Sequence, residues 1–199
     1  MKKFLLTTSF LLLLCWGCCG QVAKSREHNV AIKTNLLYDA TANINVGVEV
    51  GLAWRWSLEA SSNLNMWSVN GHNWKHWFVQ PEARYWFRRR FMEHFLGFHA
   101  IGGEFNFSNI RNNVRLFGTD FSRLSDYRYQ GLGVGAGIAY GYALRLGTHW
   151  NMEFELGVGY IYTRYDRYEC VDCNRKLEND VPHHYIGPTK AAINLVYLF

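Results

Sequence analysis

The chain has 199 residues, a formal net charge of +5 and a hydrophobic fraction of 49%. Its length suits one domain after a leader segment, and no Ser/Pro linker, low-complexity tract or charge block divides it. After residue 20 no apolar run approaches the ~18 residues that a membrane helix needs, which excludes a helical membrane protein. The modest charge also argues against nucleic acid as a partner.

Residues 1–20 predict a secretory signal peptide. Lys2 and Lys3 give a basic start, residues 4–16 form an apolar stretch, and small residues surround a cleavage point after Gly20. Because both lysines leave with this segment and no acidic residue does, the mature chain has 19 basic and 16 acidic residues, a formal charge of +3. We therefore expect the protein to leave the cytoplasm.

An alternative interpretation of the leader is a lipoprotein that is acylated on Cys18 or Cys19. The leucine that usually stands three residues before a lipid-bearing cysteine is replaced here by Cys15 or Trp16. Residues 21–28 are largely polar and predict a short periplasmic lead-in.

Alternation of apolar with polar or small residues, with a period of two, recurs in roughly eight segments. Residues 43–53 are apolar at even positions, residues 131–144 set apolar residues against glycine and alanine, and residues 150–163 set apolar residues against polar or small ones. This period is typical of strands with one apolar and one polar face. Weaker versions of the pattern lie at 30–39, 56–67, 77–87, 94–107 and 187–199.

Two of the weaker segments predict a local irregularity. The alternation in residues 94–107 changes phase, which predicts a β-bulge at Gly102 and Gly103. Pro81 lies inside another segment and cannot donate a ladder hydrogen bond, so we expect disturbed pairing there as well.

Connection lengths predict the direction of the strands. The connections at 53–55, 88–93 and 147–149 are short, whereas those at 69–75, 108–126 and 166–185 are long. In outer-membrane barrels the short turns face the periplasm and the long loops face outward. Aromatic residues fall near both predicted rims: Trp56, Trp86, Trp150 and Phe199 at the inner one, and Tyr38, Trp67, Trp77 and Tyr162 at the outer one.

These patterns together predict an all-β fold, an eight-stranded antiparallel up-and-down transmembrane β-barrel in the outer membrane. Strands that cross lipid must close into a barrel because lipid cannot satisfy open backbone edges, and the aromatic fraction of 17% suits the two membrane interfaces. Phe199 would anchor the closing strand at the periplasmic rim, with both termini periplasmic. The expected domains are the signal peptide at 1–20, the lead-in at 21–28 and the barrel at 29–199.

The inward-facing positions of this barrel carry a set of charged residues. A charged network across the lumen is interpreted as structural packing of paired charges, and the alternatives are a gated polar channel or a general acid/base pair. The predicted lumen network consists of Lys33, Glu49, Glu59, Glu82, Arg84, Glu153, Glu155 and Lys190.

Cys170 and Cys173 are the only cysteines after the signal peptide. In an oxidising compartment two cysteines so close in a loop predict a local disulfide, and free or intermolecular thiols are the alternative. A zinc site would need two further ligands, for which the candidates are His183 with His184 or His72 with His76. We predict no metal and no cofactor.

Catalysis would need a nucleophile and a base within hydrogen-bonding reach. His99 is the best candidate base, since its strand phase points it inward near Glu82 and Arg84, but Ser61, Ser62 and Ser68 lie on another strand. We therefore predict no catalytic residues. The alternatives to a structural barrel are a lipid-modifying enzyme on the same barrel and a soluble lipocalin-like periplasmic carrier.

Basic residues in the third predicted external loop are candidates for contacts with lipid phosphate. Charge-assisted hydrogen bonds would hold a lipopolysaccharide phosphate, and a solvated loop is the alternative. The residues concerned are Arg111, Arg115, Arg123 and Arg128. The expected partners are outer-membrane lipid and lipopolysaccharide, and the chain is expected to be a monomer.

Several strings are longer than simple alternation would produce. They are the residues KTNLLYDA at 33–40, WKHW at 74–77, QPEARYW at 80–86, YGY at 140–142, CVDC at 170–173 and GPTKAA at 187–192. On these strings the chain resembles a family of small Bacteroidetes outer-membrane barrels that carries only a domain-of-unknown-function label. The resemblance covers nearly the whole mature chain.

The resemblance implies an envelope protein, in some members linked with fimbrial or other surface systems, without an established activity or catalytic residues. It also implies that Pro81 belongs to a tolerated strand pattern. The expected function is a structural or surface-interaction role through the external loops. A diffusion pore is not expected, because eight strands enclose no useful aqueous channel.

Overall fold

The computed structural model describes residues 28–69, 72–108, 115–116, 119–120, 127–169 and 175–199. These residues form strands and a single one-turn helix. In chain order the elements are β1 (Val30–Asn35), α1 (Leu36–Asp39), β2 (Ile44–Ala53), β3 (Trp56–Asn65), β4 (Ser68–Val69), β5 (His72–Trp86), β6 (Glu93–Ser108), β7 (Arg115–Leu116), β8 (Thr119–Asp120), β9 (Arg128–Arg145), β10 (Trp150–Tyr168) and β11 (Lys176–Leu198).

Eight of the strands close into one ring. The order around the ring is β1, β2, β3, β5, β6, β9, β10 and β11, and β11 pairs again with β1. Every neighbouring pair is antiparallel. Each of the eight strands pairs with the one that precedes it among them in the chain. The short strand β4 pairs with β5, and β7 pairs with β8 as a separate ladder. The predicted all-β, eight-stranded, antiparallel up-and-down fold is confirmed, and its insertion into a membrane stays a prediction.

The two faces of the ring have opposite chemistry. Along β2 the odd positions, such as Gly47 and Glu49, are buried inside the ring, whereas the even positions point outward. The same parity runs through β9 and β10, because a strand turns successive side chains to opposite faces. Exposed apolar side chains on the outer face include Ile44, Val46, Val48, Val50, Leu52, Leu132, Val134, Ile138, Phe154, Leu156 and Val158.

The two ends of the ring differ in their connections. At one end, which we name the short-turn end, the connections are residues 54–55, 87–92 and 146–149. The first and last strands also meet there, since the Phe199 N–H donates to the Val30 carbonyl at 2.9 Å. The opposite end, named the long-loop end, carries α1 and the longer connections.

The first strand is shorter than predicted. Residues 36–39 were expected to continue β1 but form α1, because the Asn35 side chain accepts a hydrogen bond from the Leu37 N–H at 3.1 Å and caps the helix. No helix in the described ranges has the length and hydropathy of a membrane span.

The predicted long loop at 166–185 is wrong over much of its length. β10 continues to Tyr168, β11 begins at Lys176, and the two strands pair across this region, for example Tyr165 with Val181. At its far end, Lys176 donates to the Asp166 carboxylate at 2.7 Å. Both faces of this hairpin carry polar residues, so it lacks the alternation by which the other strands were recognised.

The predicted bulge at Gly102 and Gly103 is also wrong, because β6 keeps one register with both β5 and β9 through these residues. A register shift lies instead in β11, where Lys190 pairs with Gly157 and Pro188 pairs with Val158, leaving Thr189 as an extra residue. Thr189 and Lys190 consequently both point inward, and the inward positions change from odd to even.

The irregularity expected at Pro81 is confirmed. The ladder between β5 and β6 runs from Asn73 to Val79 and resumes at Glu82, so Gln80 and Pro81 have no partner in β6. Pro81 still pairs with Ala60 on the β3 side. The missing N–H of proline therefore costs pairing on one side of the strand only.

Candidate functional site

The interior of the ring is closed at the short-turn end by apolar side chains. The Trp86 and Phe95 rings lie 4.6 Å apart between centroids, and the Trp86 indole donates to the Ser57 hydroxyl at 2.7 Å. Phe91, in the turn 87–92, packs against the Trp86 ring. We name the whole set the apolar plug: Ala31, Trp86, Phe91, Phe95, Ala143, Val196 and Leu198. Trp86 thus lies at the short-turn end, where it was expected, but its side chain points into the interior and not to the outer face.

Glycines on β9 make room for the plug. A Cβ atom on Gly141 would overlap the Phe95 ring. Since β9 presents glycine or alanine at its inward positions from Gly131 to Ala143, bulky groups from the opposite wall fill the space. The alternation of small and apolar residues in this strand was the sequence signal for that packing.

Above the plug lies a layer of charges that brings together all eight residues of the predicted lumen network. Six strands contribute to it, and every member is at most 6% exposed. We name this set the charge layer: Lys33, Glu49, Glu59, Glu82, Arg84, Glu153, Glu155 and Lys190.

Arg84 is at the centre of the charge layer. Its Nη1 lies 2.8 Å from Glu49 and 2.9 Å from Glu153, and its Nε lies 2.6 Å from Glu82. Nη2 contacts Glu59 and also lies 2.7 Å from Glu155. The guanidinium stands 4.4 Å over the Phe95 ring, which joins the charge layer to the plug. One planar fork therefore meets all five carboxylates.

Two lysines approach the same carboxylates from the sides. The Lys33 Nζ lies 2.5 Å from Glu49, 2.8 Å from Glu153 and 3.1 Å from Glu59. The Lys190 Nζ lies 2.7 Å from Glu82, 3.2 Å from Glu155 and 3.6 Å from Glu59. Buried charges that are paired and hydrogen-bonded in this way offset their desolvation, so the geometry supports the packing interpretation of the network.

The charge layer also contains the closest approach to a metal-ligand set in the described part of the chain. One carboxylate oxygen each of Glu59, Glu82 and Glu155 lies within 4.8 Å of the others. The ammonium of Lys190 lies among these oxygens, so a cationic side chain holds the position that a metal ion would take.

A third layer, polar and uncharged, lies between the charge layer and the long-loop end. Together with Lys33, Glu59 and Lys190 of the charge layer it lines a cavity of about 20 Å³, which is space for about one water molecule. Within it the Asn63 Oδ1 lies 3.0 Å from the His76 Nε2, and Tyr38 of α1 also lines the cavity. The amides that line it are Asn35, Asn45, Asn63, Gln80 and Asn194. This layer was not predicted from the sequence, although asparagine at inward strand positions was its signal.

His99 is buried in the interior, but no serine is paired with it. Its Nε2 lies 2.8 Å from the Thr189 hydroxyl, and its Nδ1 lies 3.7 Å from the Glu82 carboxylate. Ser61 donates to the Gln80 carbonyl at 3.2 Å, and Ser62 points outward. In the residues with described side chains, which do not include Ser68, no serine lies beside His99, and the hydroxyl that contacts its ring belongs to Thr189.

The remaining predicted sites are not assembled in the described residues. Cys170, Cys173, Arg111 and Arg123 lie outside them, and Arg115 is described only as part of β7. The Arg128 guanidinium stacks 4.1 Å over the Tyr168 ring. The predicted loop disulfide and the cluster of lipid-phosphate contacts therefore stay predictions.

The zinc alternative that used His183 and His184 is wrong. The two residues are consecutive in β11 and point to opposite faces, so they cannot bind one ion together. His184 is on the outer face, where its Nδ1 lies 2.5 Å from the Tyr160 hydroxyl.

Aromatic residues form two belts on the outer face. Near the short-turn end Trp56 packs with Tyr85 and His94 packs with Tyr142, and near the long-loop end Tyr160 and Tyr162 pack with His184. We name these the inner and outer belts. The other aromatic contacts of the inner belt join Trp150 with Tyr197 and Tyr197 with Phe199.

Between the two belts the described outward positions carry no charged residue. Glu104 accepts from the Trp77 indole at 3.2 Å, and Arg164 pairs with Asp180 farther along the hairpin. The hydrogen bond from Lys176 and the Asp180 N–H lower the pKa of Asp166, and the same lysine has a raised pKa because of its bond to Asp166.

The fold and its interior define a class of protein: a closed ring of eight antiparallel strands, charged inside and apolar outside. The family model described as "Protein of unknown function (DUF3575)" matches residues 9–199. Since the match covers nearly all of the chain, the protein belongs to this family, and the expected domain-of-unknown-function label is confirmed. No curated protein and no solved structure matches the chain.

Proposed function

We propose that the protein is a monomeric integral outer-membrane barrel with a structural or surface-interaction role. The observation that carries the proposal is the inversion of the two faces of the ring. Leu156 is 73% exposed and Ile44 is 65% exposed, whereas Arg84 and Glu153 are fully buried. A soluble protein of this size would turn its apolar residues inward, because burial of apolar surface drives folding in water.

The spacing of the two belts supports a membrane location. Along β10, Trp150 belongs to the inner belt and Tyr160 to the outer belt, and the outward residues between them are apolar. A tilted strand needs about 9–11 residues to cross the hydrocarbon layer. The belts are therefore one membrane thickness apart, and aromatic rings suit the interfaces at both sides.

The three interior layers support a closed barrel without a pore or a catalytic function. The apolar plug fills one end, the charge layer spans the middle, and the polar layer holds space for about one water molecule. Stable large conductance of the purified protein in bilayers would contradict this part of the proposal.

The orientation and role follow from the two ends. The short-turn end, where β1 begins and β11 ends, faces the periplasm, and the long-loop end faces outward. The hairpin of β10 and β11 extends beyond the outer belt and offers polar residues to lipopolysaccharide or to a surface partner. Family members linked with surface systems would use this end.

The test is the cellular fraction and gel mobility of the full chain. We expect the protein in purified outer membranes, and we expect its mobility in SDS to change after boiling, because a closed ring stays folded until it is heated. Recovery in the soluble fraction with no change of mobility would contradict the proposal and favour a carrier.

A further inference from the structure

The charge layer contains more negative than positive groups. Five glutamates face one arginine and two lysines, which gives an excess of two negative charges when all are ionised. The other titratable groups beside them in the described residues are His99 of β6 and Tyr38 of α1, and β9 presents only glycine and alanine at this level. An uncompensated charge is costly in an interior of low dielectric constant.

One carboxylate is less well bound than the others. Glu155 receives a charge-assisted bond from Arg84 on Oε2 at 2.7 Å. Its Oε1 lies 3.2 Å from the Lys190 Nζ but outside hydrogen-bonding geometry, so this buried oxygen has no donor. The Glu153 Oε1 also has no donor, but its other oxygen meets both Lys33 and Arg84.

Glu155 also has neighbours that could accept a hydrogen bond from a carboxyl group. Oxygens of Glu59, Glu82 and Glu155 lie within 4.8 Å of one another. A proton on Glu155 would turn an unpartnered acceptor into a donor beside these carboxylates, and a hydrogen bond to a charged acceptor is strong.

His99 provides an independent observation at the same place. The residue is only 2% exposed and its Nδ1 has no hydrogen-bond partner, although Glu82 is 3.7 Å away. Glu82 itself accepts from Arg84 and Lys190, so the polar atoms beside it that have no hydrogen-bond partner are the Glu155 Oε1 and the His99 Nδ1.

We propose that the charge layer binds one proton at neutral pH, carried on Glu155 and shared with the carboxylates of Glu59 and Glu82. The proton comes from water and is enclosed when the ring closes. It halves the excess negative charge and gives the Glu155 Oε1 a partner. The interior is then a site for a proton and not for a metal ion, since Lys190 already occupies the carboxylate set.

The test is infrared spectroscopy of the folded full chain in detergent at neutral pH. We expect a carbonyl stretch of a protonated carboxyl group that shifts in D₂O and disappears in Glu155→Gln. Glu104→Gln, which changes an exposed outward glutamate, is the matched control and should keep the band. A native spectrum without the band, or a band that persists in Glu155→Gln, would overturn the proposal.

A second measurement compares the temperature at which each variant loses its folded gel mobility. Glutamine resembles a protonated glutamate, so Glu155→Gln should melt close to the native protein. Glu59→Gln should melt well below it, because it removes an ionised partner of Arg84, Lys33 and Lys190. Equal losses in the two variants, or a stoichiometric metal ion found by elemental analysis, would contradict the proton assignment.

Discussion

At the residue scale, Arg84 is the group that the charge layer depends on most. It meets five carboxylates and stands over Phe95. Without it, Lys33 and Lys190 would be left with all five glutamates, and the apolar plug would lose its contact with the charges. Removal of one partner from a buried ion pair is far more costly than the net contribution of the pair.

We therefore expect Arg84→Met to lower the free energy of unfolding by about 3–5 kcal/mol. Equilibrium unfolding in urea, with the protein folded in detergent or lipid, measures the change. The control is Arg164→Met, which removes a half-exposed pair with Asp180 and should cost at most about 1 kcal/mol. Similar values for the two variants would mean that the buried network is not a structural centre.

Gly141 has a comparable role in the apolar plug. The Phe95 ring occupies the space that a side chain at this position would need. Gly141→Val should therefore displace the ring and lower the free energy of unfolding by about 1–3 kcal/mol. Near-UV circular dichroism should report the disturbed packing of Trp86 against Phe95.

The control for this substitution is a glycine with free space. A Cβ on Gly102 would meet nothing within 4 Å, so Gly102→Ala should leave both the stability and the aromatic signal close to native. A loss in Gly102→Ala as large as that in Gly141→Val would contradict the packing argument.

At the scale of elements, the weakest join in the ring is between β1 and β11 at the long-loop end. β1 ends at Asn35, opposite Asn194, and β11 beyond that point pairs only with β10 among the described strands. The Asn35 side chain continues the join: its Nδ2 donates to the Ala191 carbonyl at 3.1 Å, and its Oδ1 accepts from the Ile193 N–H at 3.2 Å. The same oxygen caps α1.

We expect Asn35→Ala to open this join, because it removes both bonds to β11 and the helix cap. The expected loss of stability is about 1–2 kcal/mol, and hydrogen exchange of the Ile193 amide should become faster. Asn179→Ala, which removes an exposed amide of the hairpin bound only to Lys176, is the control. Unchanged exchange at Ile193 in Asn35→Ala would show that other contacts hold the join.

The unpaired edge of β11 contains Pro182 and Pro188. Proline is tolerated at an edge because no ladder hydrogen bond is lost there, and it discourages pairing with a strand of another chain. The two prolines therefore suit a protein that stays a monomer.

How far the sequence predicts each element depends on its environment. In residues 131–144 and 150–163 the outward face is apolar and the inward face is small or charged. Alternation with a period of two therefore identified these strands and their inward residues. Beyond Tyr162 both faces of the hairpin carry polar residues, so the alternation vanishes and residues 176–185 were mistaken for loop. The bulge at Thr189 escaped prediction because a single extra residue leaves the pattern on either side intact.

At the scale of the whole molecule, the inward direction of the charged residues was predictable from the sequence, but their assembly into one network was not. Each charged residue of the charge layer could be assigned inward from parity alone. That all of them meet around Arg84 depends on the ring closing with one register, which no single segment reveals. The polar layer depends further on α1, whose cap at Asn35 is a local feature inside an apparent strand.

Leu156→Arg tests most directly whether the outer face of the ring lies in lipid. Leu156 is midway between Trp150 and Tyr162 on the outer face. If this position lies near the bilayer midplane, the arginine should make folding into lipid vesicles less favourable by about 2–4 kcal/mol. Leu177→Arg, beyond the outer belt, should cost less than about 1 kcal/mol. A native chain that does not enter vesicles, or a Leu156→Arg variant that folds in them as well as the native chain, would contradict the account.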